Sequence, residues 1–239
     1  MEIFSTEIIF SFITLSLLEI VLGIDNLIFI ALVVQKLPKA LAKKVRLFGL
    51  TLALVIRIIM LLGITWIMSL TQPLFSISTN DFSVKDLLLV AGGLFLIAKS
   101  TLEMHYDVTQ KETTKNITPR TGFYSAIIQV ALIDFVFSFD SIITAVGLTP
   151  HTGVIIAAIT VSMVVMLMAS GYISYFLKEH PAFKVLALSF ILMIGILLMA
   201  EGFHFHIPRG YIYFAFAFSM FVETINTLAH RKQKANENK

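Results

Sequence analysis

Apolar residues gather into seven stretches long enough to cross a bilayer, which takes ~20 residues of helix. They cover 8–34, 47–70, 86–102, 122–148, 153–177, 185–203 and 211–229. The third is the shortest, and the first and fourth are longer than a span requires, which leaves room for tilt or a break. Polar residues concentrate between them, most densely over 103–121, where Thr109, Thr113, Thr114, Thr118 and Pro119 mix with charges of both signs. The pattern predicts an all-α polytopic membrane protein with seven transmembrane helices in one transmembrane domain. Within it, 1–102 forms a first three-helix unit, 103–121 a cytoplasmic linker, 122–203 a second three-helix unit, and 204–239 the seventh helix with a basic tail.

Composition sharpens the class. Hydrophobic residues make up 57% of the 239 positions and charged residues only 14%, with a mean hydropathy of +0.89, whereas a soluble domain is about a quarter charged. The absence of cysteine excludes disulfides and thiolate ligands. The first stretch lacks a basic n-region and a small-residue cleavage site and contains Glu19 and Asp25, so it reads as a retained span. The net charge of +3 belongs to short loops and does not indicate nucleic-acid binding.

Those loops set the orientation. The segments after spans one, three and five and the C-terminal tail carry fourteen Lys and Arg residues, from Lys36 to Lys239, against only Lys85 and Arg209 on the other side. The positive-inside rule then puts the N-terminus outside and the C-terminus in the cytoplasm. Residues Lys36 to Arg46 would form a basic turn against anionic lipid. Trp66, Tyr211 and Tyr213 fit interfacial belts, and Lys99 is placed to snorkel.

Two of the apolar stretches repeat one another and carry acids. Leu18 to Ile28 reads LEIVLGIDNLI, and Ile133 to Ile143 reads IDFVFSFDSII. A shift of 115 positions lays Glu19 on Asp134, Gly23 on Ser138, Asp25 on Asp140 and Asn26 on Ser141. A charge at the centre of a membrane helix costs about 3 kcal/mol on insertion scales, so four matched carboxylates mark function. Span one runs inward and span four outward, so three-helix repeats related in this way are inverted in the membrane, as in many transporters. Gly93 to Lys99 over Gly195 to Glu201 supports the pairing of spans three and six. The seventh span, with Glu223 and Asn226, has no counterpart.

On an unbroken helix Glu19 and Asn26 share a face, as do Asp134 and Ser141, while Asp25 and Asp140 lie ~120° away at ~100° per residue. Either Gly23 and Ser138 bend the chain, or the second acid of each motif serves a different station. Carboxylate, amide and hydroxyl oxygens suit hard divalent ions, so the candidate metal ligands are Glu19, Asp25, Asn26, Asp134, Asp140 and Ser141. Arg57, near the middle of span two, could neutralise one acid. Glu201, Glu223 and Asn226 are candidate pathway residues, and His204 and His206 a weak ion-gathering patch. No phosphate-binding loop or nucleophile–base pair appears, so neither an energising domain nor an enzyme is expected, and no bound cofactor.

The same segments, with Val222 to Asn226, His180-Pro181, Leu186 to Phe190 and Pro208 to Phe214, resemble the TerC family of integral membrane proteins, in particular its short bacterial members. The resemblance implies a seven-helix transporter of the lysine-exporter superfamily, linked to manganese or calcium export, with intramembrane acids matching Glu19, Asp25, Asp134, Asp140 and Glu223. The expected activity is export of a divalent cation, above all Mn²⁺, coupled to protons or to the membrane potential. A cationic amino-acid exporter and a non-transporting scaffold in a tellurite-stress complex are the alternatives. The expected partners are lipid and metal ion, with a homo-oligomer as a candidate assembly.

Overall fold

A computed structural model describes residues 6–35, 37–77, 80–109 and 119–237. In chain order the elements are α1 (Thr6–Leu22), α2 (Ile24–Gln35), α3 (Lys39–Leu62), α4 (Ile64–Ser69), β1 (Pro73–Ile77), β2 (Asn80–Ser83), α5 (Val84–Thr109), α6 (Pro119–Leu148), α7 (Thr152–Glu179), α8 (Pro181–Gly202) and α9 (Arg209–Glu237). Six of these helices, α3 and α5 to α9, are long and apolar enough to cross a membrane, and α1 with α2 adds a seventh if the bent pair is one span. The protein is therefore an all-α polytopic membrane protein.

Several boundaries differ from the sequence expectation. The second span is shifted towards the N-terminus and stops at Gly63, after which α4 continues as a separate short helix. The linker is shorter than 103–121, because α5 runs on to Thr109 and α6 starts at Pro119; its centre, 110–118, lies outside the described residues. The hairpin of β1 and β2, paired antiparallel from Pro73–Ser83 to Ile77–Asn80, has no counterpart in the expected pattern. It delivers the chain into α5 through a reciprocal cap. The Ser83 amide and hydroxyl donate to Asp86 Oδ2 at 2.8 and 2.6 Å, and the Asp86 amide returns to Ser83 Oγ at 3.3 Å, which satisfies amides that the first helical turn leaves unpaired.

The bend between α1 and α2 is 42° at Gly23. Glycine is required there by close approach: a Cβ would lie 2.6 Å from Met166 Sδ on α7 and 2.9 Å from the Glu19 carbonyl. The hydrogen-bond ladder survives the turn, with Gly23 N donating to Glu19 O and Leu27 N to Gly23 O, each at 2.9 Å. The equivalent position in α6 behaves differently. Ser138 lies in an uninterrupted helix, and its hydroxyl bonds back to the Asp134 carbonyl one turn earlier, a local bond that a serine can make without breaking the helix.

Helices pair in a regular way: α3 lies against α6, α1 and α2 against α7, and α5 along α8. α9 packs on α8 and leaves almost all of its apolar surface outside the protein. Buried side chains form two clusters. One gathers Leu15, Val45, Ala53, Ile142, Ile159 and Met166, and the other gathers Leu96, Ile133, Phe190, Ile194 and Leu197. α2 and α6 feed both, with Leu27 and Ile30 in the first cluster and Phe29 and Ala31 in the second, and with Phe139 and Ile133 divided likewise. Both acidic motifs thus occupy the seam between two apolar cores, which buries Glu19, Asp25 and Asp134 and leaves Asp140 partly exposed.

Candidate functional site

Arg57 is the centre of the site. α3 carries it into the seam, where its guanidinium is 2% exposed. Its Nη1 donates to Glu19 Oε2 at 2.7 Å, its Nη2 to Asp134 Oδ1 at 2.8 Å, and its Nε to Asp134 Oδ2 at 3.1 Å. The Asp134 contact is the two-pronged pairing that a planar guanidinium is shaped for. Asn26 Nδ2 reaches the same Asp134 Oδ1 at 3.0 Å, and Ser138 Oγ reaches Oδ2 at 3.1 Å. Ser141 lies on that face of α6, buried beside Glu19 and donating to the Ser138 carbonyl at 3.3 Å. Glu19, Asn26, Asp134 and Ser141 are therefore brought together as their shared faces predict, with one arginine bridging two acids and cancelling one of their two charges.

The second acid of each motif goes elsewhere. Asp140 is partly exposed and pairs with Lys85 Nζ at 3.0 Å and Arg209 Nη2 at 3.5 Å. Arg209 Nη2 also meets Glu201 Oε2 at 3.3 Å, so the C-terminal end of α8 is tied to the start of α9 and does not stand free in water. Asp25 is 2% exposed. Its Oδ2 accepts from Tyr213 Oη at 3.3 Å, while its Oδ1 has no hydrogen-bond partner. Among the described residues no cation pairs with it, although Arg209 is near enough to act on it through space. Asn26 Oδ1, on the neighbouring residue, is a second buried acceptor without a partner.

Five carboxylates, those of Glu19, Asp25, Asp134, Asp140 and Glu201, thus share three cationic side chains, Arg57, Lys85 and Arg209. The five carry two more negative charges than these three cations cancel when all the acids are ionised, although only Asp25 lacks an ion pair among the described residues. Among the described residues no three His, Asp or Glu side chains stand close enough together to ligate one ion. The arrangement is a chain of two stations, a sealed one at Arg57 and a wetter one at Lys85, Asp140 and Arg209, with Asp25 and Tyr213 leading into the second.

Glu223 and Asn226 are not part of this cluster. Glu223 lines a groove between α8 and α9 with Ser189 and Ser219 and approaches Thr227 Oγ1 at 3.5 Å, and Asn226 is exposed. Lys99 pairs with Glu103 at 3.1 Å. His204 Nε2 lies 3.4 Å from Asp86 Oδ2, and His206 is exposed. Tyr213, assigned to an interfacial belt, instead turns inward to Asp25. Lys85 and Arg209 carry more weight than orientation counting gave them. The signal was present in their isolation, since two lone cations on a face otherwise free of them need acidic partners.

A polytopic helical membrane protein built around a buried arginine–carboxylate cluster is the class that fold and site define. The sequence matches the Integral membrane protein TerC family across residues 4–238, and the chain belongs to that family. It is 46% identical over 219 residues to the UPF0053 inner membrane protein YgdQ of Escherichia coli strain K12, an alignment spanning 92% of each chain. It is 44% identical over 225 residues to a UPF0053 protein of Haemophilus influenzae, covering 94% of this chain and 95% of that one. The UPF0053 inner membrane protein YoaE of Escherichia coli is 46% identical over 219 residues, which is 91% of this chain but 42% of the longer relative. No solved structure matches.

Proposed function

We propose that this protein is a secondary transporter of the bacterial inner membrane that exports a divalent cation, with Mn²⁺ as the favoured cargo, coupled to protons or to the membrane potential. The observation that carries this reading is the surplus of acid: five buried or half-buried carboxylates against three fixed cations, with Asp25 in no ion pair among the described residues. Buried charge of one sign is costly unless a fixed cation, a proton or a mobile ion compensates it. A divalent ion supplies the missing two charges, and the available oxygen ligands are of the hard kind that Mn²⁺ accepts. Glu19, Asp25, Asn26, Asp134, Asp140 and Ser141 are the proposed ligands, used in turn along the two stations.

The pairing of helices supports the inverted-repeat arrangement of 3+3 spans plus α9. If α1 corresponds to α6, α3 to α7 and α5 to α8, then the α3–α6 pair exchanges with the α7–α1 pair, and α5–α8 exchanges with itself. The family resemblance supports the metal class, and the names of the relatives support the inner membrane. The N-terminus is proposed to face outward on the strength of the loop charges.

A second reading, export of cationic amino acids, draws on one specific contact: the Glu19–Asp134 pair already accommodates a guanidinium. Reconstituted protein in liposomes, offered Mn²⁺, Ca²⁺, Mg²⁺, Zn²⁺ and labelled arginine under an imposed pH gradient, separates the readings. Mn²⁺ flux abolished by Asp25→Asn is expected. Arginine flux indifferent to Mn²⁺ would establish the alternative instead.

A further inference from the structure

We infer that Arg57 is a tethered counter-cation that competes with the cargo for the Glu19–Asp134 pair, so that cargo enters the sealed station only by displacing the guanidinium. This rests on the transport reading above and names the residue that controls the site.

Three observations lead to it. First, Arg57 does not bond one acid locally but bridges the leading acid of each motif, Glu19 from α1 and Asp134 from α6. It therefore occupies the place where an ion held by both halves of the chain would sit. Second, an arginine cannot leave such a site by losing its proton, because its charge persists at any attainable pH. Only a cation that takes its place on the acids, a proton or the cargo ion, can release it. Third, Asp134 is held independently of the arginine, by Asn26 at 3.0 Å and Ser138 at 3.1 Å. The carboxylate keeps its aim when the guanidinium departs, so Asp134 stays positioned to receive a cation.

Charge gives the exchange a direction. With Arg57 in place the two acids retain one net negative charge, which still attracts a cation; a divalent ion cancels both. The guanidinium, on a long flexible stem, remains nearby as the species that expels the ion afterwards. A purely structural bridge would have a different signature, since nothing added from solution would substitute for it.

The test uses the purified full-length protein, with Arg57→Gln and Arg57→Lys, read by thermal unfolding across titrations of MnCl₂ and methylguanidinium and by Mn²⁺ flux in liposomes. Arg57→Gln is expected to bind Mn²⁺ at least tenfold more tightly than the unmodified protein, seen as stabilisation at lower MnCl₂, while its turnover falls at least tenfold. Millimolar methylguanidinium should stabilise this variant and shift its Mn²⁺ titration to higher concentration. If Arg57→Gln fails to fold, Arg57→Lys carries the comparison, because an ammonium holds the pair without the fork, and a rise in Mn²⁺ affinity of about threefold is expected. An unmodified protein that transports Mn²⁺ with neither variant gaining affinity overturns the competition and leaves the transport reading standing. An unmodified protein that moves no divalent cation overturns the transport reading, and this inference falls with it.

Discussion

Gly93 and Gly195 meet backbone to backbone where α5 crosses α8. A Cβ on Gly93 would lie 2.6 Å from the Gly195 carbonyl and 2.9 Å from Met199 N; a Cβ on Gly195 would lie 2.9 Å from the Gly93 carbonyl and 3.1 Å from Ile97 N. The two contact sets exchange under the correspondence that lays Gly93 to Lys99 over Gly195 to Glu201. Small residues that let helices approach this closely are the usual glue of membrane bundles. Gly93→Ala is expected to destabilise the protein by about 1–3 kcal/mol through overpacking against rigid backbone. Adding Gly195→Ala should cost less than a second independent increment, because both press on one crossing. Thermal unfolding in detergent of the two single variants and the double variant checks this.

Tyr213 supplies the only hydrogen bond to Asp25 among the described residues, at 3.3 Å. Tyr213→Phe removes it without changing the volume much and leaves a buried carboxylate unsatisfied, a loss of roughly 1–3 kcal/mol. Added Mn²⁺ should narrow the gap from the unmodified protein, since the ion takes over the unsatisfied oxygens. A gap unchanged at saturating Mn²⁺ would place the cargo away from Asp25.

Lys85 and Asp140 form a partly exposed pair at 3.0 Å, and such pairs contribute less than ~1 kcal/mol to stability. Lys85→Gln should therefore leave unfolding almost unchanged but lower the Mn²⁺ concentration needed for half-maximal flux, because it removes a repelling charge beside the acid. The effect should shrink as salt is raised, given a Debye length of ~10 Å at 0.1 M. Flux measured at two ionic strengths decides the matter.

His204 holds a left-handed backbone conformation, φ 66°, just beyond the end of α8. Its amide bonds to Glu201 O at 2.9 Å, and that of Phe205 to Ala200 O at 2.9 Å, the helix-ending pattern that favours glycine. The histidine's compensations are a tilted ring contact with Phe82, centroids 5.5 Å apart, and a half-exposed contact with Asp86, whose Oδ2 Ser83 already serves. His204→Gly should raise stability by about 0.5–1 kcal/mol, measured as an upward shift in the unfolding temperature.

Much of this was legible in the sequence because membrane burial imposes strong rules. Spans show as uninterrupted apolar runs, and an acid within one stands out by its cost. The shared faces of Glu19 with Asn26 and of Asp134 with Ser141 followed from helical periodicity alone. Two features were beyond reach. Arg57 as the partner of two acids depends on α3 lying against α6, a packing choice that no local pattern encodes. The unlike behaviour of Gly23 and Ser138, bend against straight helix, turns on Met166 crowding one and a back-bonded hydroxyl suiting the other. The hairpin 73–83 was also missed, since its alternation is short and sits beside a stronger helical signal.

The unequal treatment of those two positions has a mechanical consequence. Asp25 and Asn26 ride on α2, a rod of twelve residues set at 42° to α1, so the bend sets their aim separately from that of Glu19. Asp134, Asp140 and Ser141 are fixed on a single rod of thirty residues, and none of them can shift without carrying the rest. The two motifs, alike as strings of letters, are an angled bracket and a straight beam.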